Sequence, residues 1–223
     1  AAFRRQLGSA YGAAARAWAS GAAVVYNALA GALVDEIAEE LPPADPVLDL
    51  CAGTGAASAA LVRRGLPVVA ADLSWEMLRV DRATRPPGVV ADASSLPLRA
   101  GGFGAVVIAF GLNHATDPVG FLGEARRVAR PGACVASSTF LRGWVHPAKA
   151  AVDEALASFG YEPPSWHRRL KDDVEPATAT PAALARVARQ ARLGDARVRV
   201  IEVAIDASVD EVVGWRCSMA SHA

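Results

Sequence analysis

Between Asp45 and Thr139 short apolar runs alternate with amphipathic stretches, the mark of β-α-β units feeding a parallel sheet. The apolar runs predict strands over residues 47–50, 67–71, 89–92, 105–110 and 134–139. The stretches between them carry helix signals. Residues 56–64 stop at Gly65; residues 75–84 follow Ser74 as N-cap; residues 118–129 follow Asp117, with Pro118 at the first helical position. Pro131-Gly132 predicts a turn into the fifth strand. The fold class is therefore α/β, a Rossmann-like, mostly parallel sheet sandwiched by helices.

Outside this block the pattern changes. Residues 1–40 read as helical, with Phe3, Tyr11, Trp18 and Tyr26 forming an aromatic face, and suggest a layer laid over the sheet as a lid. Residues 140–180 gather Phe140, Trp144, His146, Phe159, Tyr161, Trp166 and His167 among prolines, which predicts an irregular insertion with a helix near 148–159. Thr180-Pro181 opens a helix expected to end at Gly194, residues 197–206 alternate as a strand does, and residues 209–219 look helical. The division expected is one domain: a helical cap (1–44), a core (45–140), an insertion (141–195) and a C-terminal strand and helix (196–223) that look incomplete.

Composition narrows the partner. Lysine plus arginine equals aspartate plus glutamate at 23 each, so there is no basic stripe for nucleic acid or for an anionic membrane. A small molecule is the expected partner. Cys51, Cys134 and Cys217 lie far apart with no histidine at metal spacing, which argues against structural zinc and for unpaired thiols in a reducing, cytoplasmic setting. No run approaches a membrane span, and the opening residues lack an apolar signal core.

The chemistry gathers at CAGTG, residues 51–55, between the first strand and its helix. Glycines one residue apart let backbone approach a ligand closely. A dinucleotide site would need G-x-G-x-x-G/A and a later acid, which this turn nearly supplies. The strand ends favour a mononucleoside instead. Asp72 can accept from a ribose diol, Asp92 from an adenine amine between apolar faces such as Leu73 and Met77, and Asp49 from a ligand ammonium. A diphosphate beside Asp49 would be repelled.

In order and spacing, VLDLCAGTG, AADLSWEML, ADASSLPLRAGGFGAVVIAFGLNHATDP and FLGEARRVARPGACVASSTF resemble the class I S-adenosylmethionine-dependent methyltransferases, closest to the ubiquinone/menaquinone-biosynthesis-like group. The resemblance covers about residues 45–140. It implies a seven-stranded sheet with one reversed strand. It also implies cofactor contacts at Asp49, Ala52, Gly53, Gly55, Asp72, Leu73, Met77, Asp92, Ala93, Phe110 and Gly111. Gly104 stands where an aspartate is usual, and Cys51-Ala52 replaces the common glycine-cysteine pair.

Other candidates lie around this core. Tyr11 and Tyr26 read as core residues of the helical layer, with Tyr26 the candidate to close over the methionine end of the cofactor. His114, just past the fourth strand, is the first candidate for a general base or else a loop anchor. His146, after the fifth strand, is the second, with His167 as a further acceptor-side imidazole. Cys51 reads as a small buried filler, and Arg168, Arg169 and Lys171 as a solvated face. The expected activity is methyl transfer from S-adenosylmethionine, leaving S-adenosylhomocysteine, to a small hydrophobic or aromatic acceptor. Oxygen is the first choice of nucleophile and secondary metabolism the expected setting. The rivals are a protein that binds S-adenosylmethionine without catalysis and an NAD(P)-dependent reductase. The reductase would need a pyrophosphate turn and a tyrosine-lysine pair, neither of which is visible.

Overall fold

The computed structural model describes residues 2–222. Two helices come first, α1 (Ala2–Ser20) and α2 (Ala23–Glu36), meeting at 90°. The α/β block follows as β1 (Val47–Leu50), α3 (Ala56–Arg63), β2 (Val68–Asp72), α4 (Trp75–Arg79), β3 (Gly88–Val90), β4 (Phe103–Ala109), α5 (Pro118–Val128) and β5 (Ala129–Ser138). The chain then builds α6 (Pro147–Ser158), α7 (Ser165–Arg169), α8 (Pro181–Gln190) and α9 (Val209–Cys217). No single described helix is long and apolar enough to cross a membrane.

The strands pair in parallel in the order β3-β2-β1-β4-β5. β1 lies in the middle and is buried throughout, as a strand covered on both faces must be. Alternation along the strands divides the core. Val47, Val68, Ala105 and Val107 meet α2 and α3, whereas Leu48, Leu50, Val106 and Ile108 meet Phe121, Leu122, Ala125 and Val128 of α5 and Val187 of α8. All carboxyl ends of the strands therefore open on one edge, where parallel sheets hold ligands. α1 packs against α4 across that edge.

Several elements differ from the sequence-based expectation. The sheet holds five strands among the described residues, none reversed. Residues 197–206 form no strand. Arg197 and Arg199 of this segment reach instead to Glu40 and Glu36, so side-chain ion pairs hold it where ladder bonds were expected. The helix expected over 75–84 stops at Arg79, because Val80 is extended and Asp81 takes a left-handed φ of 50°; a separate 3-10 turn, Arg82–Thr84, follows. The Pro131-Gly132 turn is absorbed into β5. Ala129 pairs with Phe103, and the register shifts before Cys134 joins Ala105. The helix expected to reach Gly194 ends at Gln190.

Candidate functional site

Backbone strain marks the strand tips. Cys51, Gly53 and Gly55 after β1, and Phe110 after β4, all have positive φ, at 62°, 51°, 95° and 57°. Non-glycine residues in that region are costly and concentrate at functional sites. The two tips also interlock, since a Cβ on Gly111 would stand 2.5 Å from the Cβ of Cys51.

The two glycines of the turn have different reasons. A Cβ on Gly53 would meet no protein atom, and Gly53 lies on the wall of a cavity. Gly55 is off that wall. A Cβ there would come within 2.8 Å of the Arg85 guanidinium, so the space it leaves free is taken by protein rather than by a ligand. Arg85 donates to the carbonyl oxygens of Met77 (2.8 Å), Leu78 (3.2 Å) and Gly53 (3.0 Å), tying the turn to the end of α4. Sequence reasoning missed Arg85, and a lone arginine before two prolines carries no signal of this role. Gly55→Ala is expected to cost about 2 kcal/mol through its left-handed φ and the pinned guanidinium. Thermal unfolding should read this as a midpoint roughly 4–8 °C lower. Gly31→Ala, in open space on α2, serves as the control.

Three carboxylates stand at the strand ends, each with different partners. Asp49 on β1 is fully buried; its Oδ2 accepts from Ser58 Oγ at 2.6 Å, while its Oδ1 is buried without a partner. Burial pushes its pKa up to about 6, against the Ser58 hydrogen bonds and the Arg85 charge. Asp72, at the end of β2, accepts from the backbone N–H of Gly53 and of Ser74, each at 2.8 Å, and burial raises its pKa. Asp92 follows β3. Its Oδ1 accepts from Ser94 N (2.9 Å) and Oγ (2.6 Å), and its Oδ2 from Arg4 of α1 (2.6 Å). Partial burial opposes ionisation there, but Ser94 and Arg4 together hold the carboxyl below its ordinary range. The acid expected to meet an adenine amine is thus already engaged by the helical layer.

These carboxylates share one cavity of about 770 Å³. Every cofactor candidate but Gly55 lines it: Tyr26, Asp49, Ala52, Gly53, Asp72, Leu73, Met77, Asp92, Ala93, Phe110 and Gly111. So do all four histidines and all three tyrosines of the chain. The volume is in the range of small-molecule sites. Tyr26, Phe110 and Phe140 meet as a group, with ring centroids 4.6–6.1 Å apart. Trp18 stacks behind Tyr26 at 4.8 Å and Tyr11 lies 5.4 Å from Trp18.

The histidines differ in setting. His114, in the 3-10 turn Leu112–His114 after β4, has Nε2 2.8 Å from Tyr11 Oη of α1, and burial lowers its pKa to about 4. His146 is exposed at the rim, where its Nδ1 accepts from Ala148 N at 3.2 Å and caps α6. His167 stands edge-on to Trp166 at 5.6 Å; burial first, and the Lys171 charge next, push it down to about 4. His222 stacks on Tyr161 at 4.6 Å. Sequence reasoning named Tyr161 only among the aromatic residues of the insertion and gave His222 no role. Lys171 is exposed, as expected of a solvated face, and also stands at the edge of the cavity paired with Glu175 at 2.8 Å; Asn113 donates to the same carboxylate at 3.4 Å. Lys171 belongs to a π-helical segment, Leu170–Val174, and Glu175 opens the 3-10 turn that follows it, Glu175–Ala177.

Residues 48–136 match the family model described as a methyltransferase domain. Over that stretch, under half of its length, the chain is similar to methyltransferase domains. Two demethylmenaquinone methyltransferases are similar in sequence. That of Mycolicibacterium gilvum is 46% identical over 93 residues, 42% of this chain and 41% of that protein. That of Renibacterium salmoninarum is 37% identical over 116 residues, 51% and 49% respectively. The chain thus matches under half the length of these curated relatives. Solved S-adenosylmethionine-dependent methyltransferases share the fold. That from Methanosarcina mazei has a TM-score of 0.53 at 22% identity, covering 70% of this chain and 83% of its own. That from Aquifex aeolicus has a TM-score of 0.53 at 19% identity, covering 76% and 82%. The matched residues supply the strand tips, Phe110 and His114 of the cavity, and most of its other aromatic rings come from segments before and after them.

Proposed function

We propose that this chain binds S-adenosylmethionine at the strand tips and transfers its methyl group to a small aromatic acceptor held against the N-terminal helices and the 140–222 segment. The observation that carries the reading is the unpartnered, buried Asp49 Oδ1 on the wall of the cavity. A buried carboxylate oxygen without a donor is costly, and an ammonium group is the partner that relieves it. Asp72 would take the ribose diol through the lone pairs its two backbone donors leave free. Leu73 and Met77 would flank the adenine, and Gly53 would allow backbone to approach. When bound, the cofactor supplies an electrophilic methyl carbon on a sulfonium. The protein's own part is to align a nucleophile, exclude water and take up a proton.

The aromatic walls support a flat, apolar acceptor. The relatives named for demethylmenaquinone favour a quinol-like ring, and the Tyr11–His114 pair suits an acceptor hydroxyl. Oxygen remains the first choice of nucleophile. A phenolate also activates ring carbon, so one proton acceptor serves either outcome.

Asp49 gives the test. With a pKa of about 6 the carboxyl is roughly half protonated near pH 6, and an ammonium beside it favours the ionised form. Binding of S-adenosylhomocysteine near pH 6 is therefore expected to release about half a proton, and affinity should rise with pH across that range. Calorimetry in buffers of different ionisation enthalpy reads the proton directly. Asp49→Asn should abolish the release. Binding without proton release in the wild-type protein would remove Asp49 from the ammonium site, and failure to bind would remove the cofactor.

A further inference from the structure

The structure points to Tyr11, not His114, as the group that meets the acceptor: we infer that a phenolic acceptor hydroxyl sits on Tyr11 Oη and passes its proton through Tyr11 to His114 Nε2. This deepens the methyltransferase reading and rests on it.

His114 Nε2 lies 2.8 Å from Tyr11 Oη. In the tautomer that carries its ring proton on Nδ1, Nε2 is the acceptor and Tyr11 O–H donates to it. The imidazole then has no free lone pair for a ligand. Tyr11 Oη keeps its own lone pairs and lines the same cavity. An incoming hydroxyl can therefore donate to Tyr11 but not to His114.

A second observation marks this corner as polar by design. Asn113, adjacent to His114, turns its Nδ2 to Glu175 and leaves Oδ1 buried and unpartnered, on a residue 6% exposed that lines the cavity. An otherwise aromatic wall thus offers two acceptors, Tyr11 Oη and Asn113 Oδ1, and both suit a ligand O–H. The charged groups facing the pair are Lys171 from the π-helical segment, Glu175 from the 3-10 turn that follows it and Asp72 from the sheet; Tyr26 and Cys51 complete the titratable neighbours. Glu175 favours a protonated His114 and Lys171 opposes it.

The proton transfer balances without a further reactant. The acceptor O–H bond breaks as its proton joins Tyr11 Oη, and the Tyr11 O–H bond breaks as that proton joins His114 Nε2. The acceptor is left as an oxyanion, Tyr11 as a neutral phenol and His114 as an imidazolium. The oxyanion would then bond to the methyl carbon as that carbon's bond to the sulfonium breaks, the electron pair leaving with sulfur as a neutral thioether, and the imidazolium gives up its proton to solvent after transfer.

The experiment compares Tyr11→Phe with wild type on two probes, 1-naphthol, which is un-ionised at neutral pH, and 4-nitrophenol, which is ionised under mildly basic conditions. Phenylalanine keeps the ring contacts with Trp18 and Trp166, and S-adenosylhomocysteine calorimetry establishes that the cofactor site is intact. The expected result is a fall in kcat for 1-naphthol of about tenfold or more, with KM little changed and the solvent deuterium isotope effect lost. The fall for 4-nitrophenol should be at least tenfold smaller. His114→Asn should reproduce the same contrast, and the double variant should be no worse than either single one. Equal losses on both probes would reduce Tyr11 to a packing residue, and no loss would overturn the relay. Methylation of neither probe by a wild-type protein that binds S-adenosylhomocysteine would overturn the phenolic acceptor while leaving the cofactor reading standing. Absence of S-adenosylhomocysteine binding would sink both.

Discussion

Asp72→Asn is expected to weaken binding of S-adenosylmethionine by about ten- to over a hundredfold. The carboxylate holds two parts of the site at once, accepting from Gly53 N in the glycine turn and from Ser74 N at the cap of α4, each at 2.8 Å. Asparagine keeps the shape. It replaces one accepting oxygen by an NH₂ that faces a backbone N–H, and it removes the charge that strengthens a bond from a ribose diol. Loss of a charge-assisted hydrogen bond costs about 1.5–3 kcal/mol, which converts to that range of dissociation constants. Because the turn itself rests on Asp72, the thermal midpoint should fall as well. Isothermal calorimetry with S-adenosylhomocysteine measures the effect, and an unchanged affinity would place the ribose elsewhere.

How far the sequence reveals this site depends on how local the cause is. β1, its glycine turn and α3 are written in adjacent residues: an apolar run, two glycines and an alanine-rich helix, with Asp72 and Asp92 one strand apart each. Those positions converge because parallel strands must end on the same edge. Arg85 escaped because its role lies in the carbonyl oxygens of Met77, Leu78 and Gly53, which no side-chain pattern encodes. The Arg4–Asp92 pair and the Tyr11–His114 pair escaped for a related reason. Each joins residues roughly ninety or a hundred apart, across a layer whose docking the periodicity of α1 does not specify.

The missing sixth strand teaches the opposite lesson. Residues 197–206 alternate apolar and polar as a strand should, yet Val198, Val203 and Ile205 are half-buried while Val200 and Ile201 face outward. Alternation sets which side is buried, but a strand also needs a neighbour with free backbone groups. Here the segment is anchored by Arg197 and Arg199 to Glu40 and Glu36. Residues two apart do not share a side here, Val198 being half-buried and Val200 exposed, so neither the alternation nor the pairing expected of a strand is present. His146 differs again. Its place after β5 suggested a base, yet the structure uses one of its nitrogens to cap α6 at the exposed rim.

His114→Ala is expected to cut turnover of a neutral hydroxyl acceptor by about 10²–10⁴-fold, the usual contribution of a positioned proton acceptor, while cofactor affinity stays nearly unchanged. The separation follows from position. His114 belongs to the turn after β4 and pairs with Tyr11, whereas Asp49 and Asp72 hold their partners at the tips of β1 and β2. The pH dependence separates them further. Burial lowers His114 to about 4, so the imidazole is a free base throughout the neutral range and kcat should show no limb near the ordinary histidine value of about 6.5. For stability the sign is that of a depressed base: the contribution is present above the unfolded histidine pKa and is lost as pH falls through about 4. His167, lowered to about 4 as well, adds in the same sense. Asp49 runs the other way, since a carboxyl raised to about 6 favours the folded, cofactor-free state below its unfolded pKa and loses that contribution as pH rises through 6. Cofactor binding should therefore show a limb near pH 6 that Asp49→Asn removes, and kcat should not. A His114→Ala enzyme turning over within a few-fold of wild type would return His114 to a loop anchor and leave alignment alone to account for the rate.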